Sequence, residues 1–140
     1  MRTAAHLILC LLGCLVLSPW LEGAPVQKCR KDWLRYGNNC YRLFRQRKTW
    51  EDAEVECQSY SPWTHLATIH SNRETNVVSS YILRNPPDGP VWIGIHDARH
   101  NGAWTWTDGS IYHYRAWNNG EPNNLDWVEY CAELLEYKRK

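Results

Sequence analysis

The sequence predicts an α+β fold, and three observations carry that prediction. Two segments in the first half, after Thr49 and after Ser71, pair helix-start signals with helical spacing. Past residue 90 the pattern changes to continuous apolar or alternating runs, which suit strands. Helices first and strands afterwards indicate segregated layers rather than a βαβ repeat.

Each element follows from its residues. Met1-Arg2, an apolar run over residues 7–17, the Ser18-Pro19 break and the small Gly23 and Ala24 read as a secretory signal peptide cleaved after Gly23. The expected domain is then 24–140, secreted and extracellular. No apolar run reaches the roughly 18 residues that a membrane span needs. Cys10 and Cys14 leave with the signal. Cys29, Cys40, Cys57 and Cys131 remain in an oxidising compartment, where four cysteines allow three connectivities. Cys29 and Cys40 lie close in sequence around an Asn38-Asn39 turn, and a bridge there would contribute about 2–3 kcal/mol.

Residues 40–44 alternate and read as a strand. Thr49 caps a helix with Asp52 at its third position, and Trp50, Ala53 and Cys57 recur on its inner side. Ser61-Pro62 ends it. Residues 65–69 read as a short extended piece. Ser71 and Glu74 form a capping box opening a second helix through about Arg84, with Val77/Tyr81 and Val78/Ile82 paired four apart. The 85–90 stretch, Asn-Pro-Pro-Asp-Gly-Pro, is a stop and a turn. Residues 91–95 read as a buried strand and 104–107 as an alternating one. Tyr112 and Tyr114 alternate again, and 130–134 is the last strand. Residues 117–129 form a long polar loop of the kind that carries function in compact domains.

Composition narrows the function. Lys+Arg number 16 against 15 Asp+Glu, a net charge of +1, which gives no support for nucleic-acid binding. His96 and His100 have helical metal spacing but follow a strand and lack a zinc-protease glutamate. No Gly-x-Ser-x-Gly elbow supports a hydrolase. A Glu121/Glu129 pair lacks the opposed environments of a glycosidase. The reading is therefore a binding protein, not an enzyme. Trp92, Trp104 and Trp106 read as core, whereas for Trp117 and Trp127, which flank the loop, core packing and an exposed binding face are evenly open readings. Arg42, Arg45, Arg47 and Lys48 read as a solvated face.

The polar loop gathers oxygen ligands: Glu121, Asn123, Asn124, Asp126 and Glu129 fall within nine residues. Calcium prefers such oxygens, with six to eight donors in irregular geometry. Pro122 stiffens the backbone between Glu121 and Asn123, especially if its peptide bond is cis. The competing reading is a solvated acidic loop.

The order of Cys29-x3-Trp33, Cys40-Tyr41, Trp50-x2-Ala53-x3-Cys57, Leu66-Ala67, Trp92-Ile93-Gly94, Trp104-x-Trp106-x-Asp108-Gly109, Glu121-Pro122-Asn123 and Glu129-x-Cys131 resembles the C-type lectin-like domain, in the style of the regenerating proteins and reptilian lectins. The resemblance implies two helices with a small antiparallel sheet. It also implies a calcium-dependent sugar site. Glu121, Pro122, Asn123 and Glu129 would bind carbohydrate, with the proline cis, and Glu121, Asn123 and Glu129 would be the Ca²⁺ ligands. Glu-Pro-Asn implies mannose-type equatorial hydroxyls or a cell-wall glycan, where Gln-Pro-Asp implies galactose. Asn124 and Tyr130 stand where acids would serve an auxiliary calcium site.

The family pattern continues past Cys131 with a Trp-Asn-Asp segment, two cysteines and a closing strand, none of which occurs before Lys140. The expectation is a domain incomplete at its C-terminus, lacking the final strand, with two calcium ligands missing and calcium affinity weakened. In the family Cys57 and Cys131 pair with those further cysteines. Here three outcomes stay open: pairing with each other, free thiols, or links between chains. Glycans are the expected partners, with oligomers supplying avidity. The alternative is a lectin-like module that acts through protein partners without using sugar.

Overall fold

In the computed structural model, which describes residues 28–84 and 86–134, helix α1 spans Trp50–Tyr60 and helix α2 spans Asn72–Arg84. The expected signal peptide and both ends of the expected domain lie outside the described residues. The Thr49 hydroxyl accepts from the Asp52 amide at 3.1 Å, satisfying one otherwise unpaired N–H of the first turn. The helix stops at Tyr60, and Ser61 before Pro62 is extended.

The α2 cap differs from the expected box in one half. Ser71 Oγ accepts from the Glu74 amide at 3.1 Å, as in a box. The Glu74 carboxylate, however, accepts from the His70 amide at 2.7 Å. Its other oxygen takes a short hydrogen bond from the Tyr41 hydroxyl. Glu74 is only 3% exposed, and buried Tyr41 needs an acceptor, so tertiary demand redirects the side chain. Burial first, and then the bond to Glu74, raises the Tyr41 pKa above the ordinary phenol value.

Strands β1 (Leu34–Tyr36) and β2 (Asn39–Tyr41) form an antiparallel hairpin through Gly37, whose φ of 57° suits a residue without Cβ. A disulfide joins Cys29 to Cys40 beside it. The strand expected over 40–44 ends at Tyr41. Phe44 leaves the ladder to meet Trp33 and Tyr60, at ring-centroid distances of 6.4 and 5.2 Å. Aromatic packing therefore outweighs continued pairing there.

Strand β3 (Val91–His96) lies between β4 (Thr105–Trp106) and β5 (Cys131–Leu134), antiparallel to both. Ile95 faces Trp106, Val91 faces Leu134, and the β3–β5 register shifts between Trp92 and His96. Tyr112 and Tyr114 alternate without joining a strand, and instead pack against the core. That core is Tyr41, Ile69, Val78, Ile93, Ile95, Trp106 and Ala132. Two helices with small antiparallel sheets make the fold α+β, as the sequence predicts.

Residues 65–70 connect these layers. They form no ladder, yet the Ala67 carbonyl accepts from the Gly94 amide at 3.0 Å. Buried Glu54 of α1 accepts from the Leu66 amide at 2.9 Å, from Gln58 Nε2 at 2.8 Å, and shares 2.6 Å with His65 Nδ1. Glycine is required at 94. A Cβ there would lie 2.6 Å from Thr107 Oγ1 and 2.7 Å from the Leu66 carbonyl oxygen.

Gly94→Ala should therefore destabilise the protein by about 1–3 kcal/mol, the usual range for overpacking against backbone. Gly89→Ala, which meets nothing within 4 Å, should leave the urea midpoint unchanged.

A second expectation concerns acid. Burial opposes ionisation of Glu54, Asp97 and Asp108, but hydrogen bonds outweigh it. The donors are the Leu66 amide, His65 and Gln58 for Glu54; the Gly102, Asn101 and Arg99 amides for Asp97; and Ser110 and Thr68 for Asp108. All three pKa values fall below the ordinary carboxylate range. Depressed folded values mean that their stabilisation is full above the unfolded pKa, about 4. It is lost as pH falls through the folded values. Thermal midpoints should drop below about pH 4, and Glu54→Gln should flatten that drop.

Candidate functional site

The long loop is fixed at both ends. At its start, the Trp117 indole N–H donates to the Tyr112 hydroxyl at 2.6 Å, and the Trp117 ring meets Trp104 edge-on at 4.8 Å. At its end, the Tyr130 carbonyl accepts from the Asp97 amide at 2.8 Å, and the Tyr130 ring stacks on His100 at 3.5 Å. Asp97 is fully buried, and its carboxylate gathers the Asn101 and Gly102 amides at 3.2 and 2.6 Å. That closes the 97–102 turn, which forms a wall beside the loop.

Between these posts the chain is exposed and closely folded on itself. The Glu121 amide donates to the Asn118 carbonyl at 3.0 Å, and Gly120 sits at φ 90°. The Glu121–Pro122 peptide bond is cis. The Glu121 carboxylate accepts from the Asn123 amide at 3.1 Å and from Asn123 Nδ2 at 2.8 Å. Asn123 Oδ1 in turn accepts from the Leu125 amide at 2.7 Å. A tight 3₁₀-type turn follows over Leu125–Trp127, closed by the Val128 amide on the Leu125 carbonyl at 3.2 Å and kinked at Asp126. Asn124 and Asp126 sit at φ 47° and 54°, a left-handed region that Asn and Asp tolerate better than most residues.

The predicted site residues thus fall into two groups. Glu121, Pro122 and Asn123 form one locked, exposed unit. Glu129 is exposed beyond the 3₁₀ turn, and its charge, after burial, helps raise the Glu133 pKa. Asn124 and Asp126 supply the loop's left-handed turns. Among the described residues, no three of His, Cys, Asp and Glu gather as a metal cluster. The donor chemistry of Glu121, Asn123 and Glu129 nevertheless suits calcium in kind: two carboxylates and an amide oxygen, all exposed. In number it falls below the usual six to eight.

A cleft of about 480 Å³ adjoins the loop, lined by His100, Trp104, Tyr112, Arg115, Pro122 and Asn123 among others. Sequence reasoning missed Asp97 and Arg115. The Asn101-Gly102 turn signal bears on the first, while nothing local marks the second. The other candidates have structural roles. His96 tilts against Trp50 at 4.8 Å, Trp106 is core, and Trp92 donates its indole N–H to the Lys48 carbonyl at 3.1 Å. Lys48 pairs with Glu56 at 3.0 Å. Among the described residues Cys57 and Cys131 form no disulfide, and their thiol pKa values are pushed up to about 11, chiefly by burial, so neither is poised as a nucleophile at neutral pH.

Residues 46–140 match the family model for the lectin C-type domain. A mannose-binding isoform C-type lectin of Notechis scutatus scutatus is 42% identical over 130 residues, covering 91% of this chain and 81% of the relative. Regenerating islet-derived protein 4 of Mus musculus is 39% identical over 126 residues, covering 86% and 78%. Among solved structures, the C-type lectin CEL-I from Cucumaria echinata superposes with a TM-score of 0.72 at 35% identity, covering 78% of this chain and 82% of that one. The anchored loop, the α+β frame around it and these matches together place the chain in the C-type lectin domain family.

Proposed function

We propose that this chain is a secreted, calcium-dependent carbohydrate-binding protein that works by recognition and not by catalysis. Its preference would be for mannose-type hydroxyls or a cell-wall glycan. The observation that carries the reading is the Glu121–Asn123 bracket, a carboxylate and a carboxamide held 2.8 Å apart on an exposed loop. A vicinal diol matches that pair, because one hydroxyl can donate to a Glu121 oxygen while its neighbour accepts from Asn123 Nδ2. Binding then exchanges the internal Asn123–Glu121 bond for two bonds to sugar. Glu121, Asn123 and Glu129 would hold calcium, which when bound supplies a positive centre for the hydroxyl lone pairs. The mannose-binding name of the snake relative supports the sugar class. Single-site binding of this kind is weak, so clustered ligands would supply avidity.

A second reading, a module that engages protein partners, has its own observation. Leu125 and Val128 on the same loop are 57% and 73% exposed. Isolated apolar side chains are common on surfaces, which leaves this reading second.

The folded, monodisperse protein should be retained on immobilised mannose in Ca²⁺ and released by EDTA. Glu121→Gln with Asn123→Asp should move retention toward galactose. Flow-through of folded protein on both resins would sink the sugar reading and favour the protein-partner one. Glu129→Gln should weaken calcium binding by about tenfold or more, measured by calorimetry.

A further inference from the structure

The cleft beside the Glu121–Asn123 unit has an uneven charge. At about 480 Å³ it falls in the size range of small-ligand sites. Among the described residues its lining holds one formal cation, Arg115, and no carboxylate. The Arg115 guanidinium lies over the Tyr112 ring, 5.5 Å from its centroid. Tyr112 is itself held, accepting from the Trp117 indole at 2.6 Å and meeting Trp106 edge-on at 6.2 Å. No ion pair between Arg115 and a carboxylate occurs among the described residues, unlike Lys48, which is paired to Glu56. The cation is therefore supported on a fixed aromatic face with its hydrogen-bonding edge uncommitted.

Other lining groups add donors. Asn101 uses its Oδ1 to accept from the Ala103 amide at 3.0 Å, which leaves its NH₂ to a ligand. The His100 ring is fixed by stacking on Tyr130. Trp104 contributes an aromatic wall, and Pro122, Asn123 and Asn124 make the cleft continuous with the loop.

We propose that this cleft is an acidic-sugar subsite, in which Arg115 reads an oxyanion carried by the glycan whose hydroxyls engage Glu121 and Asn123. The proposal rests on the carbohydrate reading of the loop. The planar guanidinium fork matches both carboxylate and sulfate oxygens, and its stacking on Tyr112 limits the freedom lost on binding. The ligand class is a glycan bearing a uronate or a sulfate ester next to a mannose-type diol.

The test compares three probes by calorimetry in Ca²⁺: methyl α-mannoside, its C6 carboxylate and its 6-sulfate. The wild-type protein should bind at least one anionic probe about tenfold tighter than the neutral one. Which anion is favoured tells uronate from sulfate. Arg115→Gln should erase the preference and leave neutral mannoside affinity unchanged, and Arg115→Lys should keep only part of it. Arg115 is exposed, and near-ultraviolet circular dichroism checks that each variant keeps its fold. Equal affinity for all three probes would overturn the subsite while leaving the sugar reading intact. A preference that survives in Arg115→Gln would also overturn it. Binding of none of the probes would remove the sugar reading, and the subsite with it.

Discussion

Two buried glutamates, one from each helix, hold the segment around which this molecule is arranged. Residues 65–70 have no strand partner of their own, so their amides need acceptors. Glu54 takes the Leu66 amide and Glu74 takes the His70 amide. Between them, the Ala67 carbonyl is tied to Gly94 in the central strand. Helices, hairpin and sheet therefore meet at one short stretch. A carboxylate buried this deeply is costly unless hydrogen-bonded; Glu54 makes three such contacts, and Glu74 uses both of its oxygens, one each for Tyr41 and the His70 amide. The close contact at Gly94 follows from the same arrangement, because the segment and Thr107 crowd the position where a Cβ would sit.

The candidate site uses this frame without being part of it. Its loop leaves the core at Trp117 and returns at Tyr130, and both residues are tied to neighbours by hydrogen bonds and ring contacts. The chain between is exposed and keeps its shape mainly through its own bonds, Glu121 to Asn123 and Asn123 to Leu125. The buried carboxylate of Asp97 plays for the neighbouring wall the part that Glu54 and Glu74 play for the core. Rigid supports with an exposed polar rim suit recognition, since little order must be acquired on binding.

Much of the frame was legible because its signals are local. Thr49 before an amphipathic run and Ser71 three residues before Glu74 mark helix starts by short-range hydrogen bonding, and both helices begin there. The apolar run at 91–95 marks the central strand. The errors lie where distant residues compete. Alternation at 40–44 looked like one strand, but Phe44 turns away to an aromatic cluster built from Trp33 and Tyr60. The alternating Tyr112 and Tyr114 pack on the core with no strand partner. A capping box has Glu74 bond back to its own cap, but a tyrosine 33 residues away claims it.

The candidate site divides in the same way. Sequence alone determined the run Glu121-Pro122-Asn123 with Glu129 eight residues on, and so the oxygen chemistry offered by the loop. Residue type and spacing are properties of the chain. The structure adds the local detail within that loop: Glu121 and Asn123 clasp each other, Asn124 and Asp126 serve the turn, and the Glu129 charge bears on Glu133. It also brought Arg115 to the cleft, seated on Tyr112 and uncountered by any described carboxylate there. The physical reason is that local hydrogen bonds and periodicity act within a few residues. Charge neighbourhoods and clefts arise instead from segments far apart in sequence, and these meet only once the core has packed.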